Sequence, residues 1–206
     1  MDREQAIDLI NSSLREGAEL RTVIARDSST AIFEAARLIT ICFRSGGKLL
    51  FFGNGGSAAD AQHLAAEFVG RFVRERAGLP AIALTTDSSI LTAVGNDYGF
   101  DQVFARQVQA LGRPGDVAIA ISTSGNSPNI IEGVKAAKRG HLKIIGLSGK
   151  DGGLLAKQAD VAITIASKST ARIQECHIAV GHLLCELTEE ELEGGSRESQ
   201  SGVPAT

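Results

Sequence analysis

Five short apolar runs stand at intervals along the chain, and they predict the strands of a sheet. Each run is rich in β-branched residues, nearly continuous in hydrophobicity, and bounded by Gly, Pro, Asp or Ser. This pattern is typical of strands that are buried on both faces of a parallel sheet. The predicted strands are residues 48–52, 80–84, 117–121, 143–147 and 161–165.

Helical periodicity fills the intervals between these strands. Apolar residues recur at helical spacing in segments 57–69, 100–111 and 127–139. The last of these has Pro128 in its first turn and stops before Gly140, as helices commonly do. The alternation of strand and helix predicts an α/β fold, a three-layer αβα sandwich around a five-stranded parallel sheet.

Helical patterns also flank the predicted sheet, over residues 3–26 and 29–45 before it and 169–193 after it. Helices this long ahead of the sheet have little of their own domain to cover. We therefore expect residues 1–45, as part of the same unit, to pack against another subunit; packing onto their own domain is the alternative. The main domain is predicted over 46–193, and the small polar residues 194–206 predict a disordered tail.

Composition narrows the class of protein. A chain of 206 residues, 43% of them hydrophobic, suits one globular domain, and a net charge of -3 gives no basic field for nucleic acid or an anionic membrane. No apolar run approaches the roughly 20 residues of a membrane helix, and no signal-peptide pattern opens the chain. The three cysteines form no CxxC motif, which suits a reducing cytosol. We expect a cytoplasmic protein without nucleic-acid or membrane partners.

Two loops that follow predicted strands carry the strongest chemical signal. Gly53-Asn54-Gly55-Gly56-Ser57 follows the first strand, and Ser122-Thr123-Ser124-Gly125-Asn126-Ser127 follows the third. A hydroxyl-rich turn between a strand and a helix favours an anion, because backbone N–H groups at a helix N-terminus are unpaired and the helix dipole attracts negative charge. Neither loop is a Walker A or a G-x-G-x-x-G motif. We therefore expect a small phosphorylated ligand and no nucleotide, with two ordinary turns as the alternative.

Titratable side chains on two predicted helices offer chemistry beside these loops. His63 and Glu67 are spaced i, i+4 on the helix that leaves the first loop, and the last helix carries Gln174 and His182. A carboxylate near an imidazole can act with it in general acid–base catalysis. Alternatively, the same four residues can bind a divalent metal such as zinc. Residues 95–100 predict a further polar turn at the border of the pocket.

Several of these segments resemble a known family. Residues 53–63, followed by Ala66-Glu67-Phe68-Val69-Gly70-Arg71, are similar to the start of a sugar isomerase (SIS) domain. Within that family, residues 122–127, 149–153 and 172–178 through to His182 resemble the phosphoheptose isomerases. The resemblance extends from the N-terminal helices to about Glu190. It departs at Ala171, where many members carry an aspartate.

The resemblance implies a flavodoxin-like SIS fold, a homotetramer with shared active sites, and a reaction. Members convert sedoheptulose 7-phosphate to D-glycero-D-manno-heptose 7-phosphate on the way to ADP-heptose and lipopolysaccharide. Glu67 matches the general base and His182 its acid–base partner, and some relatives hold zinc at the positions of His63, Glu67, Gln174 and His182. The positions implied in substrate binding are Asn54, Gly55, Gly56, Ser57, Arg71, Asp97, Ser122, Thr123, Ser124, Ser127 and Gln174.

A non-enzymatic branch of the family gives the rival hypothesis. One relative of the isomerases is a tetrameric regulator that binds the bacterial replication initiator protein. That regulator lacks residues that correspond to Glu67 and His182, and this chain has both. A phosphosugar sensor that controls a DNA-binding partner is disfavoured, because no helix-turn-helix extension or basic patch is present. The residues therefore favour an enzyme.

Overall fold

A computed structural model describes residues 1–200, with side chains described through residue 193. Five strands form one sheet in the order β2-β1-β3-β4-β5, and every neighbouring pair is parallel. The strands confirm the five predicted ones, with small shifts at their ends. They are β1 (Leu49–Gly53), β2 (Ala81–Ala83), β3 (Val117–Ser122), β4 (Lys143–Gly149) and β5 (Val161–Ile165).

Helices cover both faces of this sheet and confirm the predicted three-layer α/β sandwich. The sheet's two faces are packed by separate apolar clusters, one under α1, α2, α3 and α8 and the other under α5, α6 and α7. A short 3₁₀ turn spans Phe100–Gln102. The helices are α1 (Arg3–Asp27), α2 (Ser29–Arg44), α3 (Gly56–Val69), α4 (Ser88–Tyr98), α5 (Val103–Leu111), α6 (Pro128–Arg139), α7 (Gly153–Gln158) and α8 (Thr170–Gln200).

Two of these helices were not expected from the sequence. The polar turn predicted over residues 95–100 is wrong for its first part, because residues 95–98 form the last turn of α4. Asp87 begins this helix, since its carboxylate accepts the backbone N–H of Ile90 at 2.9 Å. Helix α7 is short and starts behind Gly152, whose φ of 86° is accessible mainly to glycine.

The N-terminal helices differ in what they cover. Helix α2 buries Ile32, Ala36 and Ile39 in the core of its own domain. For this helix, the alternative prediction of packing onto its own domain is therefore the correct one. Helix α1 buries only Gly17 and Ile24, and Ile7, Ile10 and Leu14 on its first half are exposed. Packing of α1 against another subunit therefore stays a prediction.

The C-terminal region is longer in helix than expected. Helix α8 extends beyond the predicted end at Glu193 to Gln200. The predicted tail covers residues 194–206. The structure describes no side chains in this range, and from residue 201 onward it does not describe the backbone either. Within the described residues, no helix combines the length and hydropathy needed to cross a membrane.

The buried side chain of His177 makes the stability of the fold depend on pH. This α8 side chain is fully buried, and its Nε2 donates to the carbonyl oxygen of Ser148 at 3.0 Å. Burial lowers the pKa of His177 to about 4, although the bond to Ser148 opposes the shift. In the unfolded chain the pKa of this histidine is near 6.5. Between about pH 6.5 and 4 its imidazole therefore binds a proton in the unfolded chain but not in the folded chain.

We therefore expect acidification through this window to remove about 3 kcal/mol of stability through His177 alone. His177→Gln retains a side-chain donor and does not titrate, so its stability is expected to change less with pH. Melting temperatures of both proteins, measured from pH 7 to pH 4, check this difference. Parallel pH profiles would contradict it.

Candidate active site

The two anion-type loops lie side by side at the carboxyl edge of the sheet. Strands β1 and β3 are neighbours, and the chain continues to opposite sides of the sheet from them, which makes their junction the switch point where ligands bind in such folds. Asn54 in the first loop and Asn129 in α6 exchange two amide hydrogen bonds, of 2.8 and 2.9 Å. This pair fixes one loop against the other.

Hydroxyl groups converge in the second loop, at the start of α6. Ser122 is buried, and its Oγ lies 3.2 Å from Oγ of Ser127 and 3.4 Å from Oγ of Ser124. Ser127 is the N-cap residue of α6, and its side chain makes no capping bond, so the hydroxyl is available to a ligand. Thr123 lies between them in the same turn. These hydroxyls and the N-terminus of α6 together form a cradle for a phosphate group.

The first loop brings in Ser57 and Gln174. Gly55 has a φ of 57° and begins α3, where Ser57 is buried. Gly56 packs directly on the side chain of Gln174 from α8, because a Cβ at Gly56 would lie 2.4 Å from Nε2 of that amide. The absence of a side chain at Gly56 leaves room for Gln174 to lie against the first loop.

An imidazole pair and a carboxylate meet between α3, which follows the first loop, and α8. Nε2 of His63 is 2.9 Å from Nε2 of His182 and 3.2 Å from Oε1 of Glu67. Helices α3 and α8 bring these groups together and pack closely where Gly181 meets Leu64; a Cβ at Gly181 would lie 2.5 Å from the leucine side chain. The sequence spacing predicted the His63–Glu67 pair. It did not predict the contact between the two histidines.

Two further residues at this cluster were not singled out in the sequence. The ring of Phe72 stacks on His182 with centroids 5.2 Å apart. Asp60 lies one turn before His63, and burial raises the pKa of its carboxyl while the nearby His63 lowers it. Its Oδ2 has no hydrogen-bond partner among the described residues. Helical spacing from His63 was the only signal for Asp60, and none marked Phe72.

Two expected substrate contacts are not brought to the cluster within this chain. Arg71 is exposed, and its Nε lies 3.4 Å from Oε2 of Glu75. Asp97 lies on α4, is exposed, and accepts a bond from the side chain of Asn96 at 2.8 Å. Helix α4 buries no residue within this chain. Both side chains are therefore free to turn toward a ligand or a neighbouring subunit.

The cluster also has the donor set of a metal site. One ligand atom each from His63, Glu67 and His182 lies within 4.8 Å of the others. Ligands bound about 2.0–2.1 Å from a tetrahedral zinc are roughly 3.3 Å apart, close to the separations of 2.9 and 3.2 Å measured here. Two imidazoles and a carboxylate are ligands that zinc prefers, so these residues fit the ion.

Comparisons with known proteins agree on one family. A family model described as the SIS domain matches residues 6–149. The phosphoheptose isomerase of Rhodospirillum rubrum is 58% identical over 166 residues, which are 81% of this chain and 88% of that protein. The phosphoheptose isomerase of Aquifex aeolicus is 53% identical over 184 residues, 89% of this chain and 96% of its own. The solved phosphoheptose isomerase of Neisseria gonorrhoeae superposes with a TM-score of 0.85 at 45% identity, over 90% of this chain and 99% of that one.

Proposed function

The chain belongs to the phosphoheptose isomerases of the SIS domain family, and from that premise we propose that it converts sedoheptulose 7-phosphate to D-glycero-D-manno-heptose 7-phosphate. This aldose is the precursor from which ADP-heptose for lipopolysaccharide is made. One observation carries the proposal: a carboxylate and two imidazoles lie in contact, two of them on the helix that follows the first of two anion-type loops at the switch point of the sheet.

The reaction follows from the positions of these groups. The cradle of Ser122, Thr123, Ser124 and Ser127, together with Ser57 of the first loop, holds the phosphate, and the other end of the sugar extends toward α3 and α8. Glu67 removes a proton from C1 of the open-chain ketose and returns it to C2 through an enediol. His182 moves protons to and from the two oxygens, and His63, in contact with both groups, orients them.

Incubation with sedoheptulose 7-phosphate in deuterated water tests the proposal. We expect the aldose heptose 7-phosphate as product, with deuterium at C2, because the proton on Glu67 exchanges with solvent. Mass spectrometry and NMR detect both. Absence of conversion, with and without added zinc, would overturn the assignment.

The regulator is the less favoured alternative. The relatives that cover most of this chain are named isomerases, and a protein that only binds a partner has no need of the cluster of Glu67, His63 and His182. Titration calorimetry with the replication initiator protein is expected to give no binding heat.

We propose an alternative use of the same residues, in which His63, Glu67, Gln174 and His182 hold a zinc ion and the atoms bound to the ion do not carry protons. When bound, such an ion polarises the substrate carbonyl as a Lewis acid. The support is the donor set and its spacing, together with the position of Gln174 against Gly56 on the same helix as His182.

Metal removal tests this proposal. We expect purified protein to contain zinc by elemental analysis, and His63→Ala to reduce the bound amount, because the variant loses one imidazole ligand. Chelation is expected to lower activity, and added zinc to restore it. Full activity in protein shown to be metal-free would contradict the zinc proposal and leave the acid–base proposal standing.

We also propose a cytoplasmic homotetramer with shared active sites. Exposed Ile7, Ile10 and Leu14 on α1 lie in a helix that covers little of its own domain. An apolar groove of about 610 Å³ between α1, α2 and α8 has Phe33 and Leu183 in its wall and reaches His182. A neighbouring subunit in this groove borders the active site. Sedimentation equilibrium is expected to give four times the chain mass.

A further inference from the structure

The segment that joins α3 to β2 has no helix or strand of its own, and yet it carries a ring that stacks on His182. Residues 70–80 leave α3 just after Glu67 and cross to the edge of the sheet. Phe72 of this segment lies over the His182 imidazole, with an interplanar angle of 25°. A segment without ladder hydrogen bonds needs another source of order to hold a ring in place.

Glu189 on α8 supplies that order. Its side chain is 2% exposed, and its carboxylate accepts the backbone N–H groups of three consecutive residues. Phe72 donates to Oε1 at 2.9 Å, and Val73 and Arg74 donate to Oε2 at 3.0 Å each. Successive N–H groups that surround one anion form a nest, which is a strong and directional anchor for a loop.

Arg76 completes this anchor and connects it to α3. Its Nε donates to Oε1 of Glu189 at 2.8 Å, and its Nη atoms donate to the carbonyl oxygens of Phe68 at 2.8 Å and Glu67 at 2.9 Å. These carbonyls belong to the last turn of α3 and lack helical partners, so the guanidinium caps the helix that carries Glu67. Burial raises the pKa of the Glu189 carboxyl, but the three N–H groups and Arg76 outweigh it and hold that pKa below its usual value.

We infer that Glu189, through Arg76 and the backbone of residues 72–74, is a positioning residue for the isomerase reaction. It lies two turns beyond His182 on the same helix, and it holds Phe72 against the His182 ring while Arg76 fixes the end of α3 at Glu67. The carboxylate touches neither substrate nor reacting atoms. The inference rests on the proposed function, because it concerns the geometry of that acid–base pair.

Glu189→Gln tests the inference, since the amide has similar size but lacks the charge and turns an NH₂ group toward N–H donors. We expect kcat to fall roughly 10- to 100-fold, because a misplacement on the order of 1 Å at the reacting groups has an effect of that size. KM is expected to change less than kcat, because the hydroxyls of Ser122, Ser124 and Ser127 lie at the end of β3 and in the loop after it, and not on α3 or α8. Glu186→Gln is the matched control: it removes an exposed carboxylate on α8 that makes no described hydrogen bond or ion pair, and we expect wild-type kcat.

A double-mutant cycle with Phe72→Leu separates positioning from general stability. If Glu189 acts through Phe72, the effects of the two substitutions on kcat are expected to be less than additive; independent effects on stability add. Circular dichroism establishes that each variant is folded at the assay temperature.

The outcomes are distinct. If the wild-type protein has no isomerase activity, the proposed function itself is wrong. Active wild type with unchanged kcat in folded Glu189→Gln overturns the positioning role. Unchanged kcat in Phe72→Leu overturns the action of Glu189 through Phe72, and that variant decides this point should Glu189→Gln fail to fold.

Discussion

Glutamine in place of Glu67 is expected to lower kcat by roughly 10²–10⁴-fold, the usual contribution of one general base. The amide has nearly the same shape and keeps a polar atom near Nε2 of His63, which lies 3.2 Å from the carboxylate. The amide cannot accept the proton that the carboxylate removes from C1 of the substrate. Binding through the serine cradle is unaffected, so KM is expected to stay within a few-fold of the wild-type value.

Steady-state kinetics with sedoheptulose 7-phosphate measures both parameters, and deuterium exchange at the substrate carbon reports on the proton transfer alone. Glu132→Gln is a suitable control, because this surface carboxylate on α6 pairs only with Lys135 among the described contacts. A near-normal kcat in Glu67→Gln would remove Glu67 from the role of base. Loss of exchange with retained binding would support it.

The second large effect is expected at Gly125, in the middle of the phosphate cradle. This residue has a φ of 67°, and a Cβ on it would lie 2.2 Å from the carbonyl oxygen of Gly152. The carbonyl oxygen belongs to the backbone, and the position of the Cβ is fixed by the backbone of residue 125, so no rotation of a side chain relieves the clash. Gly125→Ala therefore forces apart the cradle and the start of α7, which are joined by the bond from Leu155 N–H to the carbonyl oxygen of Gly125 at 2.9 Å.

Gly46→Ala separates the clash from the backbone strain. Gly46 has a similar φ of 75°, but no atom lies within 4 Å of the position of its Cβ. We expect Gly46→Ala to lower the free energy of unfolding by about 1–2 kcal/mol, the strain of the left-handed conformation, and Gly125→Ala to lower it by clearly more. Only Gly125→Ala is expected to raise KM. Urea unfolding and kinetics measure the two effects, and equal losses in both variants would contradict the role of the contact.

The elements that the sequence marked most clearly, such as β1, β3 and β4, are deeply buried; the edge strand β2 and helix α1 were also predicted but are only partly buried. Strands such as β3 are apolar throughout, because helices cover both faces of the sheet. Helix α4 was missed because it buries no residue and contains Gly95 and Asn96, and so neither periodicity nor propensity marks it. Helix α7 was missed because it is one short turn and a half that opens with glycine.

The residues of the site also fall into those that local sequence predicts and those that only tertiary packing brings together. The loops were predictable because glycine and serine after an apolar run constrain the local backbone, and His63 and Glu67 because helical spacing is local. The meeting of His63 with His182 depends on the packing of α3 against α8, which joins residues 119 positions apart and leaves no local signal in the sequence. Glu189 gave no signal for the same reason, because all its partners lie far away in the sequence.

The contact between His63 and His182 also has a consequence for the order in which the protein is made. The two residues are 119 positions apart, and His182 is on the last helix of the described chain. A ribosome therefore releases both serine loops, β1 to β5 and Glu67 before it releases the helix that completes the cluster. During synthesis the nascent chain is expected to gain the ability to hold a sugar phosphate before it gains the ability to isomerise one.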